Sequence, residues 1–245
     1  MYKTTILITG ASRGIGRACA LAFAREYRGD CELILNCQKN VGMLKKTADE
    51  ARALGSCVKE FVRDVSDRAG VLDMAAAAGP GGVDILVNNA GTAHIGLFSD
   101  MTPAEIRRII DVNLMSVINC CHAFAPGMAR KHGGKIVNIS SIWGVSGASC
   151  EAVYSAAKGG VNAFTRALAK ELAPSGVNVN AVACGVVETD MNPFHSQTER
   201  DNMIEKIPAC RFGTAEEAAA VVQFLASPAA AYINGQVIVM DGGLI

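Results

Sequence analysis

The chain has 245 residues, half of them hydrophobic, and a formal net charge of zero. That length and apolar content suit one large α/β domain, and no Pro/Ser-rich linker or charge run divides it. Zero net charge with few, scattered aromatics removes the electrostatic case for nucleic acid or an anionic membrane surface as partner.

In chain order, β-branched and aliphatic runs alternate with helical ones. Strands are expected at 4–9, 32–36, 56–62, 85–88, 135–140, 178–183 and 236–240, and helices at 14–27, 41–54, 66–77, 102–131, 152–173 and 215–225. Strict alternation with right-handed crossovers gives a Rossmann-type, doubly wound, parallel seven-stranded sheet with helices on both faces. Ligands of such sheets sit at the carboxyl ends of the strands, where Asn88, Ser141 and the segment after Ala183 fall. Met1-Tyr2-Lys3 leads directly into the first strand, so no signal peptide is expected. No apolar run reaches the roughly 18–20 residues that span a bilayer. The helix from 102 has Asp100 or Thr102 as cap and Pro103 at its first position, and Asn113 interrupts it. The segment 187–207, with Pro193, Phe194 and His195 ahead of the polar stretch 196–201, is the least regular and reads as a loop that folds over ligand.

Nine cysteines lack paired metal-ligand spacing, and Cys120 and Cys121 are adjacent. They read as small buried hydrophobes of a reducing cytosol. His94, His122, His132 and His195 are dispersed, so no metal site is expected.

Three motifs carry chemistry. Gly10-Ala11-Ser12-Arg13-Gly14-Ile15-Gly16 joins a strand to a helix. Its glycines allow a tight turn and close approach of a pyrophosphate to the N–H groups and positive dipole end of the helix. The second strand ends Leu35-Asn36-Cys37-Gln38-Lys39 with no acid to accept from a ribose 2′-hydroxyl. Arg13, Asn36, Gln38 and Lys39 instead suit a 2′-phosphate, which predicts NADPH over NADH. Tyr154 and Lys158 lie one helical turn apart, with Ser141 upstream. A nearby ammonium is expected to lower the phenol pKa so that Tyr154 exchanges a proton, while Ser141 binds the same carbonyl oxygen.

In order and spacing, Thr9 to Gly16, Asn88-Asn89-Ala90-Gly91, Asn113, Ser141, Tyr154 and Lys158 resemble the short-chain dehydrogenase/reductase family. The likeness covers essentially the whole chain, to Ile233-Asn234-Gly235-Gln236 and Asp241-Gly242-Gly243. Within the family the chain is similar to the bacterial 3-oxoacyl-[acyl-carrier-protein] reductases. It is also similar to a sibling branch, the elongation factor P 5-aminopentanone reductases, through His94–Leu97, Ser141–Gly144 and Gly147–Glu151.

The resemblance implies reduction of a ketone by NADPH (yielding NADP+), with Tyr154 donating the proton and Ser141 steadying the oxygen. Lys158 would act on Tyr154 and on the nicotinamide ribose, and Asn113 would perturb its helix so that a backbone carbonyl holds a water near Lys158. Cofactor contacts are implied for Gly10, Ser12, Arg13, Gly14, Ile15, Gly16, Asn36, Cys37, Asp64, Val65, Asn88, Ala90, Gly91, Tyr154, Lys158, Gly185, Val187 and Thr189. The substrate is a carbonyl, tethered to acyl carrier protein or elongation factor P, or a small ketone. Arg130, Lys131 and Lys135 are the charges expected to dock a carrier, although Ala173-Pro174-Ser175 lacks an arginine expected before Gly176. A scaffold that binds NADPH without turnover is disfavoured by the intact Ser141, Tyr154 and Lys158. The family also implies a cytoplasmic homotetramer or dimer, joined through the helices from 102 and 152, where Ala156, Ala157, Gly160 and Ala163 allow close approach. One departure is Cys184-Gly185, where the family usually has Pro-Gly.

Overall fold

Alternating burial along β1 (Thr4–Ile8) sets the architecture: Ile6 and Ile8 face one hydrophobic layer and Leu7 the other. The computed structural model describes residues 4–79, 81–191 and 196–245, so Met1–Lys3 and Pro193–His195 lie outside the described residues. The remaining strands are β2 (Cys31–Cys37), β3 (Cys57–Val62), β4 (Ile85–Asn88), β5 (Gly134–Ser141), β6 (Val177–Cys184) and β7 (Val237–Met240). They form one parallel seven-stranded sheet in the order β3-β2-β1-β4-β5-β6-β7. The order reverses between β1 and β4, and a crevice opens there at the carboxyl ends.

Helices α1 (Gly14–Tyr27) and α2 (Val41–Ala53) cover the Ile6/Ile8 face together with α9 (Ala215–Ala226). On the Leu7 face lie α3 (Arg68–Ala77), α5 (Ser116–Arg130) and α7 (Ala152–Leu172). The expected elements fall within a few residues of those observed.

The helix expected over 102–131 has three parts: α4 (Pro103–Ile110), a π-helical turn (Asp111–Met115) and α5. Thr102, not Asp100, caps it, in a reciprocal box with Glu105. Taken whole, Pro103–Arg130 is long and apolar enough to cross a membrane, which the residue-by-residue reading of apolar runs did not register. Half of its most apolar stretch is buried within the fold, where α5 packs as a layer helix.

Two short elements were not foreseen: α6 (Trp143–Ser146) directly after β5, and α8 (Gln197–Glu205) inside the segment read as irregular. α8 buries no side chain and so has no apolar period to betray it; Ser196 caps it, accepting from the Glu199 N–H. The cysteine reading also needs correction. Six are buried, but Cys57 and Cys210 are exposed and Cys150 is half-buried. Cys150 and Cys210 sit in loops with positive φ, outside any strand or helix.

Candidate functional site

The glycine loop leaves β1 and turns into α1 beneath an open cleft of about 420 Å³. Gly10, Ser12, Arg13, Gly14 and Ile15 line this cleft. Gly16 does not: a Cβ there would stand 2.3 Å from the Gly10 carbonyl oxygen, so this glycine lets α1 press against the loop. Arg13 precedes α1 with no side-chain cap, and the first turn carries no acid. The helix start therefore keeps its N–H groups and positive end for an anion, unlike α4 and α9, whose Thr102 and Thr214 close capping boxes.

From β4, Asn89, Ala90, Gly91 and Thr92 line the opposite wall. Thr9 Oγ1 accepts from the Asn89 and Ala90 N–H groups, both at 3.0 Å, and Asn89 Nδ2 donates to the carbonyls of Thr9 and Gly10. Asn88 is a correction: its side chain turns into the core, donating to Asn138 Oδ1 at 2.8 Å and Cys121 Sγ. Sequence reading passed over Asn89 and Thr9, which brace the glycine loop against β4. Adjacent asparagines on a strand face opposite ways, and a single sequence does not say which faces the crevice.

At the end of β2, Cys37, Gln38, Lys39 and Asn40 line the cleft, joined by Arg63, Asp64 and Val65 after β3. The Asn36 side chain is withdrawn from that role. It is 1% exposed and donates to the carbonyls of Cys37, Phe61 and Arg63. Gln38 donates to Asp64, which also accepts from the Ser66 N–H and hydroxyl. Arg13 reaches across to Asp190, N–O 3.0 Å, with both side chains at least half exposed. Thr189 faces Gly14. Gly185 and Val187 serve the scaffold instead: a Cβ on Gly185 would meet Asp241 at 2.7 Å, and Val187 is 2% exposed within the α1/α9 core.

Lys158 lines the inner end of the cleft, with Tyr154 and Ser141 just behind it. Lys158 Nζ donates to the Ile139 carbonyl at 2.8 Å and lies 5.8 Å from the Tyr154 ring centroid. Tyr154 and Ser141 share a hydrogen bond. Burial pushes the Tyr154 phenol well above its usual range, against the small opposing effect of Ser141; the nearby Glu151 and Cys184 raise it further. This corrects the expectation of a lysine-lowered phenol: in the ligand-free fold Tyr154 stays protonated. Burial instead brings Lys158 down to about 8. Cys184 ends β6 opposite Ser141, and its O accepts from Ile142 N at 3.0 Å. A proline here would leave that carbonyl in place, so replacing it by Cys184 does not cost this bond. Burial pushes the Cys184 thiol up to about 12.

Asn113 sits in the π turn, wholly buried. Its Nδ2 donates to the carbonyls of Thr92 (2.8 Å) and Ile109 (2.9 Å), and its Oδ1 accepts from the Thr92 N–H. The turn is thereby tied to the Ala90–Thr92 wall. Gly91 sits between Asn113 and Lys158; a Cβ there would stand 3.0 Å from Asn113 Oδ1 and 3.7 Å from Lys158 Nζ.

The basic residues expected to dock a carrier are elsewhere. Lys131 pairs with Asp84 at 2.5 Å, and Lys135 begins β5, so within one chain these charges lie at the amino ends of the strands, opposite the cleft. Arg63 and Arg108 are the cleft-lining cations that sequence reading did not select. The small-residue stripe also divides. Gly160 accommodates Leu114 and Ala157 is fully buried, so both serve packing within the chain, while Ala156 and Ala163 remain exposed.

Comparison with known proteins agrees with this geometry. A family model described as enoyl-(acyl carrier protein) reductase matches residues 10–245. The chain is 39% identical over 245 residues to the 3-oxoacyl-[acyl-carrier-protein] reductase FabG of Thermotoga maritima, covering 98% of this chain and 96% of that protein. It is 37% identical over 241 residues to the uncharacterized oxidoreductase YmfI of Bacillus subtilis, covering 98% of each. Its fold superposes on a 3-oxoacyl-[acyl-carrier protein] reductase from Brucella melitensis with a TM-score of 0.91 at 33% identity, over 99% of this chain and 92% of that one. With matches spanning nearly its full length in both sequence and fold, the chain belongs to the short-chain dehydrogenase/reductase family, whose members are nicotinamide-dependent oxidoreductases.

Proposed function

We propose that this protein reduces a ketone to an alcohol with NADPH, in the manner of a 3-oxoacyl-[acyl-carrier-protein] reductase. The observation that carries this reading is the hydrogen-bonded Ser141–Tyr154 pair beside the buried Lys158, at the inner end of a cleft headed by an uncapped helix. The bound nicotinamide supplies a hydride to the carbonyl carbon. Tyr154, held protonated by burial, gives its proton to the oxygen as negative charge develops there. Ser141 Oγ presents a second hydrogen bond to that oxygen. Lys158 holds its ammonium beside the phenol and the ribose hydroxyls, and Asn113 fixes the wall on which both depend.

For the cofactor, the start of α1 and the loop from Gly10 to Ile15 would take the pyrophosphate, and Asp64 and Val65 the adenine. Arg13, Lys39 and Arg63 stand where a 2′-phosphate would lie. Releasing Arg13 from Asp190 costs little, because an exposed ion pair is worth about 0–1 kcal/mol. That pair and the Thr189–Gly14 approach also support the segment 187–207 as a lid over the cleft. The same reading makes the protein a cytoplasmic homotetramer or dimer, with the outward Ala156 and Ala163 of α7 suited to close helix approach. The alternative substrate is 5-aminopentanone-modified elongation factor P, supported by the residues around Trp143 and Cys150.

The test is a side-by-side assay of NADPH oxidation with acetoacetyl-acyl carrier protein, the modified elongation factor and a free ketone of similar length. A carrier-borne ketone is expected to show the higher kcat/KM, because remote contacts contribute binding energy that the free ketone lacks. Equal kcat/KM for all three points to a small-molecule reductase.

A further inference from the structure

Glu151 is the one charged side chain near the reacting groups that the proposed reaction leaves without a task. It precedes α7, yet its side chain makes no capping hydrogen bond to the helix. It is half-buried and accepts from Trp143 in α6. No ion pair engages it among the described residues. A carboxylate drawn part-way out of water without a counter-charge is unfavourable, and burial raises its pKa accordingly.

Its placement gives that unfavourable arrangement a use. Glu151, Tyr154 and Lys158 follow one another along one face of α7. Lys158 faces the cofactor cleft, so Glu151 marks the opposite side of Tyr154, where the rest of a substrate must extend. The helix rise sets Glu151 about 4.5 Å along the axis from Tyr154. The Gly96 N–H donates to the Cys150 carbonyl at 2.9 Å and clips the loop after β4 onto this turn. That loop and its neighbours leave Ile95, Leu97, Val145 and Met191 exposed at the same end of the sheet. An apolar rim with one half-buried carboxylate and an indole suits a short alkyl arm ending in a cation.

We propose that the substrate of this cleft is an amino-ketone: a carbonyl on a short apolar arm that carries a protonated or quaternary amine, recognised by Glu151 and Trp143. This rests on Tyr154 being the proton donor of a carbonyl reduction, and it specifies the arm the site prefers. A neutral or anionic arm would leave Glu151 uncompensated, whereas a cationic one supplies the missing counter-charge.

The test uses two ketones of nearly the same shape, 5-(trimethylammonio)pentan-2-one and its neutral isostere 6,6-dimethylheptan-2-one. Both are assayed with NADPH on the full chain. Wild type is expected to favour the cation in kcat/KM by about tenfold or more, a preference that weakens with added salt. Glu151→Gln keeps an acceptor for Trp143 and removes the charge. It is expected to bring the ratio of the two kcat/KM values down about tenfold; a ratio is read because Glu151 also bears on Tyr154. Equal use of both ketones by wild type, or a cation preference that survives Glu151→Gln, overturns this inference and leaves carbonyl reduction standing. Turnover of neither ketone removes the reductase reading and this inference with it.

Discussion

Burial governs the ionisation of the two groups at the inner end of the cleft. It keeps Tyr154 protonated and brings Lys158 down to about 8 from an ordinary 10.5. A base whose pKa is depressed on folding binds fewer protons folded than unfolded between those two values, so its penalty is full below pH 8 and relieved as pH rises toward 10.5. The thermal midpoint of the ligand-free wild type, minus that of Lys158→Met, is therefore expected to climb from pH 8 to pH 10.5. A flat difference over that window would show that Lys158 titrates as it does in water. Cofactor choice is also decided by single residues. Cys37 ends β2 in the cleft, and the N–H groups of Lys39 and Asn40 point at its thiol. Those donors would hold a carboxylate in the same place, repelling a 2′-phosphate and accepting from a 2′-hydroxyl. Cys37→Asp with Arg13→Ala is expected to shift the NADPH-to-NADH ratio of kcat/KM toward NADH by about tenfold or more. Wild type that already prefers NADH would contradict the assignment.

At the scale of elements, the strands and amphipathic helices were legible because each leaves a period: β-branched runs for strands, small apolar residues at helical spacing for α1 and α7. α8 was not, because it is polar all round and rests on its Ser196 cap. The interruption at Asn113 was legible as a polar residue in an apolar helix, but its form was not. The π turn depends on three hydrogen bonds to Thr92 and Ile109, and Thr92 lies on a different segment of the chain. The docking charges failed for a related reason: Arg130 and Lys131 end α5, and only the crossover shows that this end faces away from the cleft. Asn113→Leu tests the role of the turn. It leaves the Thr92 N–H and C=O and the Ile109 C=O without their partner in a buried place, at about 1–3 kcal/mol for each group that water cannot reach. Urea unfolding is expected to show a loss of about 2–4 kcal/mol, with turnover falling as the wall beside Lys158 loosens. A change within about 0.5 kcal/mol would mean that the π turn forms without Asn113.

Across the whole molecule, the doubly wound sheet brings the glycine loop after β1, Asn89–Thr92 after β4, Ser141 at the end of β5 and Thr189 after β6 to one crevice, with Tyr154 and Lys158 supplied by α7. Motifs far apart in sequence thus serve one reaction, as their order implied. The central claim is that Tyr154 gives the proton that completes carbonyl reduction, and the most direct measurement compares wild type with Tyr154→Phe. That change removes the phenolic hydroxyl and keeps the ring that packs with Val153 and Trp143. NADPH affinity, read by fluorescence, is expected to stay within about twofold, while kcat for acetoacetyl-acyl carrier protein falls by about 10²-fold or more. A variant that binds NADPH normally and retains near wild-type kcat would contradict the account.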